Sequence, residues 1–374
     1  MTALAVPAPP RSPTRRTPVD PPARVMICDD SLTIRGAIAR ILEADPAIHV
    51  VAKVGNGRAA VEMLGRIQAD VVVLDIEMPI MDGMTALPLL LNVDPKVRII
   101  MASTLTTRGA DIALRALRLG AADYVPKPTS IDATASGEFA RELIAKVKGL
   151  ARLRPGRAPT PADEASSLRT PTLPLRPAPT LAPRLLAIGS STGGPQALFT
   201  LFQGLRRDVR LPVVVTQHMP PAFTPLLADH ITRLGHIPCT EAKDGEPLLP
   251  GHAYLAPGDR HLLVQQARTG LQCRLTADPP ENFCRPAVDP MLRSAAAACD
   301  GRVLVAMLTG MGHDGLEGTR AVVEAGGCAI SQDEATSVVW GMPGAIAQAG
   351  LCHAVLPLPA IAPKLLALLK GGRR

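Results

Sequence analysis

Residues 24–31 read RVMICDDS, and the same design recurs as VVVLD at 71–75 and IIMAS at 99–103. Each is an apolar run the length of one strand that stops on a polar side chain. Strands are predicted at Arg24–Cys28, Val50–Val54, Val71–Leu74, Val97–Met101 and Tyr124–Val125. Helical patterns lie between them. In the first, Ile34, Ala37, Ile38, Ile41 and Leu42 form an i, i+3, i+4, i+7, i+8 stripe behind Ser31, a candidate N-cap. Five strands alternating with helices predict βαβ units and a parallel, flavodoxin-like sheet.

Ligands of such sheets gather at the carboxyl ends of the strands. Asp29 and Asp30 follow the first strand, Asp75 ends the third, Ser103 ends the fourth, and Lys127 follows the fifth in DYVPKP. All five are expected in one pocket. Three carboxylates that close repel one another unless a divalent cation neutralises them, and all-oxygen ligation suits Mg²⁺. An Asp beside such a cation can attack a phosphoryl group in line, with Ser103 and Lys127 binding its oxygens. Taken singly, Asp75 reads as a cap, Lys127 as a solvated side chain and Ser103 as a turn residue. Their order along successive strand ends favours the joint reading.

From Arg184 the alternation resumes. Strands are expected at Leu185–Ile188, Val213–Thr216, His252–Leu255, Val303–Leu308, Cys328–Ile330 and His353–Leu356. Helices are expected near 195–204, 222–234, 288–299 and 314–325, and a β-hairpin around 260–276. The fold class is therefore α/β, with a second, doubly wound, mainly parallel sheet carrying a small hairpin.

The run LLAIGSSTGGP at 185–195 reads strand, tight turn, helix, and Gly189–Gly193 fits G-x-S-x-G with Ser191 central. That is the pattern of a nucleophile elbow, whose following backbone N–H groups can hold an oxyanion. A phosphate loop is the competing reading, but GSSTGG does not give G-x-G-x-x-G, and no acidic residue ends a strand about 20 residues on. His218 ends the next strand in VVVTQHMPP, where an imidazole titrating near pH 6.5 suits a base. Asp314, in LTGMGHDG after the strand at 303–308, would orient it. Ser190 lies off the centre of the elbow. His313 adjoins Asp314 in sequence and is a weak rival base, while Asp289 and Asp259 are rival acids expected to cap a helix and a turn.

A chain of 374 residues fits two domains of roughly 120–190 residues. The formal charge of +7 invites a nucleic-acid reading, but +3 lies in residues 1–24, +6 in 141–184 and +3 in 370–374, leaving about −5 for the folded bodies. With only eight aromatic residues, stacking on single strands is excluded as a main activity. Seven cysteines without C-x-x-C read as free thiols in a reducing cytosol. The proline-broken N-terminus is no secretory signal and no run is long enough to span a bilayer, so a cytoplasmic protein with no membrane insertion is expected. The expected organisation is a disordered Pro-rich extension at 1–23, a first domain at 24–142, a Pro-rich linker at 143–183 and a second domain at 184–374. A last helix of the first domain is expected near Gly137–Leu153, and eight prolines between Pro155 and Pro183 argue for an extended linker.

Through RVMICDDS, LDIEMPIMDG, IIMAST and DYVPKP, residues 24–142 resemble a response-regulator receiver domain. The resemblance implies Asp75 as phosphoacceptor, Mg²⁺ held by Asp29, Asp30, Asp75 and the backbone carbonyl of Glu77, Ser103 as the switch hydroxyl, Lys127 as the phosphoryl contact, and Tyr124 as the aromatic that reports the switch. Through AIGSSTGGPQAL, VTQHMPPAFT, DGEPLLPGHAYLAPGDRH, RPAVDPM, LTGMGHDG and ATSVVWGMPGA, residues 184–370 resemble the catalytic domain of chemotaxis protein-glutamate methylesterases. This implies Ser191 as nucleophile, His218 as base, Asp314 as orienting acid, and Thr192 with the backbone of Met311 along the oxyanion region. The esterase itself needs no cofactor. Methyl-accepting chemotaxis receptors are implied as substrate, a chemotaxis histidine kinase as phosphodonor, receptor glutamines as targets of deamidation, and the unphosphorylated receiver as a cover over the active site. The alternative is a response regulator whose output domain only binds, for example to DNA; no helix-turn-helix pattern supports it.

Overall fold

The computed structural model describes residues 21–103, 106–127, 133–154, 174–179, 181–205 and 209–371. The expected Pro-rich extension up to residue 20 and the expected linker from 155 to 173 lie outside the described residues.

The N-terminal domain alternates β1 (Ala23–Cys28), α1 (Leu32–Glu43), β2 (Ile48–Val54), α2 (Gly57–Leu64), β3 (Val71–Asp75), α3 (Gly83–Val93), β4 (Arg98–Ser103), α4 (Thr107–Arg118), β5 (Asp123–Pro126) and α5 (Ala133–Arg152). The strands are parallel in the order β2-β1-β3-β4-β5. β3 is buried throughout, which is why it reads as an unbroken apolar run closed by Asp75. Ser31 caps α1 as expected, accepting a hydrogen bond from Ile34 N. α5 runs on to Arg152, so the boundary expected at 142 falls inside a helix. Phe139, Leu143, Val147 and Leu150 form its buried stripe against β1 and its neighbours.

The C-terminal domain holds β6 (Leu185–Ser190), α6 (Gly194–Gly204), β7 (Val213–Gln217), α7 (Thr224–Leu234), β8 (Cys239–Glu241), β9 (Ala253–Leu255), the antiparallel hairpin β10 (His261–Ala267) and β11 (Gly270–Thr276), α8 (Val288–Ala298), β12 (Val303–Met307), α9 (Leu316–Glu324), β13 (Cys328–Gln332), α10 (Met342–Gln348), β14 (Ala354–Leu356) and α11 (Leu358–Gly371). Its seven-stranded sheet has the order β14-β13-β12-β6-β7-β9-β8, with every pair parallel. The strand order reverses between β6 and β12, and a crevice opens there at the carboxyl ends. Edge strand β8 and helices α10 and α11 were not among the expected elements. β8 has only three residues and alternates too briefly to show a period.

The two domains pack directly. Gln196 of α6 donates through Nε2 to the carbonyls of Leu117 and Ala121 (2.7 and 2.8 Å). Arg152 donates through Nη2 to the carbonyls of Glu334 and Ser337 (both 2.9 Å). Helix α5 passes so near Val338 that a Cβ on Gly149 would lie 1.9 Å from its carbonyl oxygen. Residues 174–179, expected as free linker, are partly docked: Arg176 N and Nε donate to the carbonyls of Cys352 and Gly350.

Candidate active site and phosphoacceptor pocket

β6 ends in the elbow and delivers Ser191 to the crevice. Gly193 closes the turn with φ 74°, in the left-handed region that a side chain resists, and starts α6. A Cβ on Gly194 would sit 1.9 Å from Gln217 Oε1, so any larger residue here would displace the Gln217 side chain. That same Oε1 accepts the hydroxyl hydrogen bond of Ser190 (2.7 Å), and Ser190 is fully buried. Ser191 remains partly exposed. Of the two serines, only Ser191 offers its hydroxyl to the crevice.

His218 follows β7. Its Nε2 lies 2.7 Å from Asp314 Oδ2, which follows β12. Asp314 is saturated with donors: Val288 N reaches Oδ2 (2.6 Å), while Asp289 N (3.1 Å) and Asn282 Nδ2 (2.9 Å) reach Oδ1. It therefore caps the first turn of α8 while orienting the imidazole. Burial alone would raise the Asp314 carboxyl, but His218 and these N–H donors outweigh it and hold it below the ordinary range. Burial would likewise lower His218, and the bond to Asp314 reverses that and holds the imidazole above its ordinary range.

The backbones of the serine and the histidine are tied together. His218 N donates to the Ser190 carbonyl (3.2 Å), and Gln217 Nε2 donates to the carbonyls of Ser191 and His218 (2.9 and 3.0 Å). Among the described residues no hydrogen bond joins Ser191 Oγ to His218. The second imidazole nitrogen, Nδ1, lies 3.4 Å from Cys284 Sγ.

Several neighbours escaped sequence reasoning. Cys284, Asn282 and Gln217 had no motif to announce them, and only Asn282 carried a hint, as a turn former before a cis Arg285–Pro286 bond. Asp289 does not cap its own helix, whose N-cap is Ala287. Its Oδ1 instead accepts from Gly318 N in α9 (2.6 Å), so the aspartates at the starts of α8 and α9 cap each other's helices. Asp259 occupies a turn with φ 62° and pairs with Arg285, and His313 is exposed. Thr192 is buried, its carbonyl accepting from Thr309 Oγ1 (2.8 Å), and Met311 is 38% exposed at the rim.

The N-terminal pocket gathers Asp29, Asp30 and Asp75, whose carboxylate oxygens lie within 4.8 Å of one another. Lys127 Nζ bridges Asp29 Oδ2 and Asp75 Oδ1, both at 2.7 Å. Burial raises the Asp75 carboxyl, with Lys127 pulling it back and Asp29 adding to the rise. Burial would lower the Lys127 amine, but its two carboxylate partners hold it above the usual value. Glu77 N lies 3.4 Å from Asp75 Oδ1, and Ser103 is buried at the end of β4, its hydroxyl donating to the Gly109 carbonyl (2.8 Å). Excess negative charge on hard oxygen ligands is the donor set that fits a divalent cation such as Mg²⁺. An open cleft of about 500 Å³, lined by Asp30, Glu77, Met78 and Arg108, leads to it.

A link between the pockets appears at β5. Tyr124 is buried and stacks on Phe223 of the second domain. Its neighbour Asp123 accepts the hydrogen bond of Gly193 N in the elbow (3.1 Å) and pairs with buried Lys146 (3.3 Å), which also meets Glu142 (2.9 Å). No helix among the described residues is long and apolar enough to cross a membrane.

Comparison with known proteins gives a consistent answer for each half. Residues 186–365 match the family model described as CheB methylesterase, and residues 25–136 match the response regulator receiver domain. A protein-glutamate methylesterase/protein-glutamine glutaminase of Azospirillum brasilense is 55% identical over 96% of this chain and 95% of its own length. One from a group 2 operon of Rhodospirillum centenum is also 55% identical, over 91% and 93%. The Thermotoga maritima CheB methylesterase catalytic domain is 39% identical and covers 50% of this chain and 100% of that chain, with a TM-score of 0.49.

Proposed function

From a chain that belongs to the CheB methylesterase family and carries a response regulator receiver domain ahead of it, we infer a phosphorylation-controlled protein-glutamate methylesterase and protein-glutamine glutaminase of bacterial chemotaxis. The observation that carries the reading is the 2.7 Å pair of His218 and Asp314 beside the elbow of Ser191, at the switch point of the sheet. The substrate is a γ-glutamyl methyl ester on a chemoreceptor, and the work is done in the cytoplasm. The test is methanol release from methylated chemoreceptor membranes, with and without a small phosphodonor; none in either condition refutes the reading.

Ser191 Oγ attacks the ester carbonyl as His218 takes its proton. Because Nε2 is held by Asp314, Nδ1 is the nitrogen left for that proton, and a side-chain rotation of Ser191 toward it, in place of the Cys284 contact of Nδ1, assembles the pair. The tetrahedral oxyanion is stabilised along Thr192 and the backbone of Met311. The imidazolium returns the proton to the departing methoxide, giving methanol and an acyl-serine. Water, deprotonated by His218, then releases glutamate and regenerates Ser191. With a glutamine side chain the same sequence releases ammonia, because both reactions pass through the same oxyanion.

In the receiver, Asp75 accepts the phosphoryl group from a histidine kinase. Asp29, Asp30, Asp75 and the carbonyl of Glu77 would hold Mg²⁺, which when bound neutralises phosphoryl charge during transfer. Lys127 and Ser103 bind the phosphoryl oxygens. In the state described, the receiver lies against the elbow and Asp123 directs a carboxylate at Gly193 N, next to where the oxyanion must form. That negative charge opposes the reaction, and phosphorylation relieves it by loosening the β5 face.

A further inference from the structure

Glu281 and Cys284 exchange backbone hydrogen bonds (3.1 and 2.9 Å) across Asn282 and Phe283. Both central residues have positive φ, 53° and 63°. That is the signature of a two-residue type I′ turn, whose second central position favours glycine. Here it holds phenylalanine, one of five in the chain, and its side chain is 99% exposed. Backbone strain at a bulky side chain is ordinarily offset by burial, and here the ring is exposed instead.

The neighbours of Phe283 fix where it stands. Asn282 Nδ2 binds Asp314 Oδ1 (2.9 Å) and Asp289 Oδ2 (2.8 Å), and Cys284 Sγ lies 3.4 Å from His218 Nδ1. With both flanks pinned to the catalytic acid and base, the aromatic ring forms the lip of the site on the histidine side. Met311, 38% exposed, adjoins Gly310, where a Cβ would lie 3.0 Å from the Cβ of Ser191. The receiver covers the elbow side through Gly193 and Gln196, and leaves the Phe283 lip open.

We propose that Phe283 is a specificity-determining residue that grips the protein substrate, packing on an apolar side chain one helical turn from the modified glutamate. The inference rests on the esterase reading and names its recognition element. Where the modified glutamate lies on a helix, residues three and four away share its face, so an ester seated at Ser191 brings such a neighbour to the lip. A small ester has no such neighbour and does not need the contact.

The experiment compares the full-length wild type with F283A and F283G. Kinetics of methanol release from methylated chemoreceptor membranes are set beside hydrolysis of p-nitrophenyl acetate. Both variants should raise KM for the receptor about tenfold, as loss of a buried aromatic anchor does, with kcat within about twofold and the small ester unaffected. F283G, which restores the preferred turn residue, should also melt roughly 2 °C higher. An unchanged KM for the receptor overturns the proposal while leaving the esterase intact. A parallel loss on the small ester also overturns it, by making Phe283 a support for the triad. A wild type that releases no methanol with or without a small phosphodonor defeats the esterase reading itself, and this proposal with it.

Discussion

Tyr124 of the receiver lies ring to ring against Phe223 of the catalytic domain, with centroids 4.7 Å apart and planes 16° from parallel. Phe223 directly precedes α7, five residues beyond His218, so the stack joins β5 to the loop that carries His218. A stacked pair contributes about 0.5–1.5 kcal/mol beyond its buried area, enough to shift a two-state docking equilibrium up to roughly tenfold. Tyr124→Ala should therefore raise methanol release by the unphosphorylated full chain severalfold, approaching the rate of a fragment beginning at Arg184. An unphosphorylated rate that stays at the wild-type level would show that the stack does not restrain the esterase.

Asp123 makes a separable contribution. Asp123→Asn keeps an oxygen for Gly193 N and removes the negative charge, whereas Asp123→Ala removes both. Basal esterase rates should rise in the order wild type, Asn, Ala. Buried Lys146 keeps Glu142 as its partner in either variant, so the three proteins can be compared directly in the full chain. Equal basal rates in all three would leave inhibition to packing alone.

Ser191→Ala should lower methanol release by at least ~10³-fold while phosphoacceptance at Asp75 is untouched. Ser190→Ala removes a buried hydroxyl bonded to Gln217, so it should lower the melting temperature more than the activity. A Ser191→Ala protein with wild-type methanol release would exclude this nucleophile.

How much of this the sequence carried depended on whether a feature announces itself locally. The parallel strands were legible because VVVLD and VVVTQ are buried on both faces and leave unbroken apolar runs. Strand ends then located Asp75, Ser103, Ser191, His218 and Asp314 before any geometry. What stayed hidden was long-range. Asp123 and Gly193 meet across domains, 70 residues apart, and Asn282 meets Asp314 from 32 residues away. Nothing in DYVPKP distinguishes an aspartate that reaches into another domain from one that turns to solvent. Asp289, expected to cap a helix, does cap one, but which helix it serves is set by the approach of α9 and not by its local sequence.

The receiver pocket predicts a metal requirement confined to one half of the protein. Removing Mg²⁺ with a chelator should abolish labelling of Asp75 by a small phosphodonor, and Asp75→Asn should do so at any Mg²⁺ concentration. Neither treatment should slow a fragment beginning at Arg184, because the chemistry proposed for Ser191, His218 and Asp314 calls for no cation. Chelation that stops the isolated fragment would reveal a metal the triad chemistry does not call for.

The opposed shifts of His218 and Asp314 set the pH dependence. His218 must be neutral to accept the Ser191 proton, so kcat/KM should climb as pH rises through its pKa. That pKa is elevated, chiefly by the bond to Asp314, so the ascending limb should lie above the unperturbed histidine value of about 6.5. By the same linkage, His218 stabilises the fold fully below about pH 6.5, and this contribution fades as pH rises through the elevated value. Asp314→Asn deletes the charge while nearly preserving shape, so the limb should move to lower pH. The plateau should fall by ~10⁴-fold, because an amide no longer fixes the productive tautomer. Pre-steady-state methanol release across pH 5–10 would separate the two effects. A limb unmoved by Asp314→Asn would mean that some other charge, and not the 2.7 Å partner across the crevice, governs the imidazole.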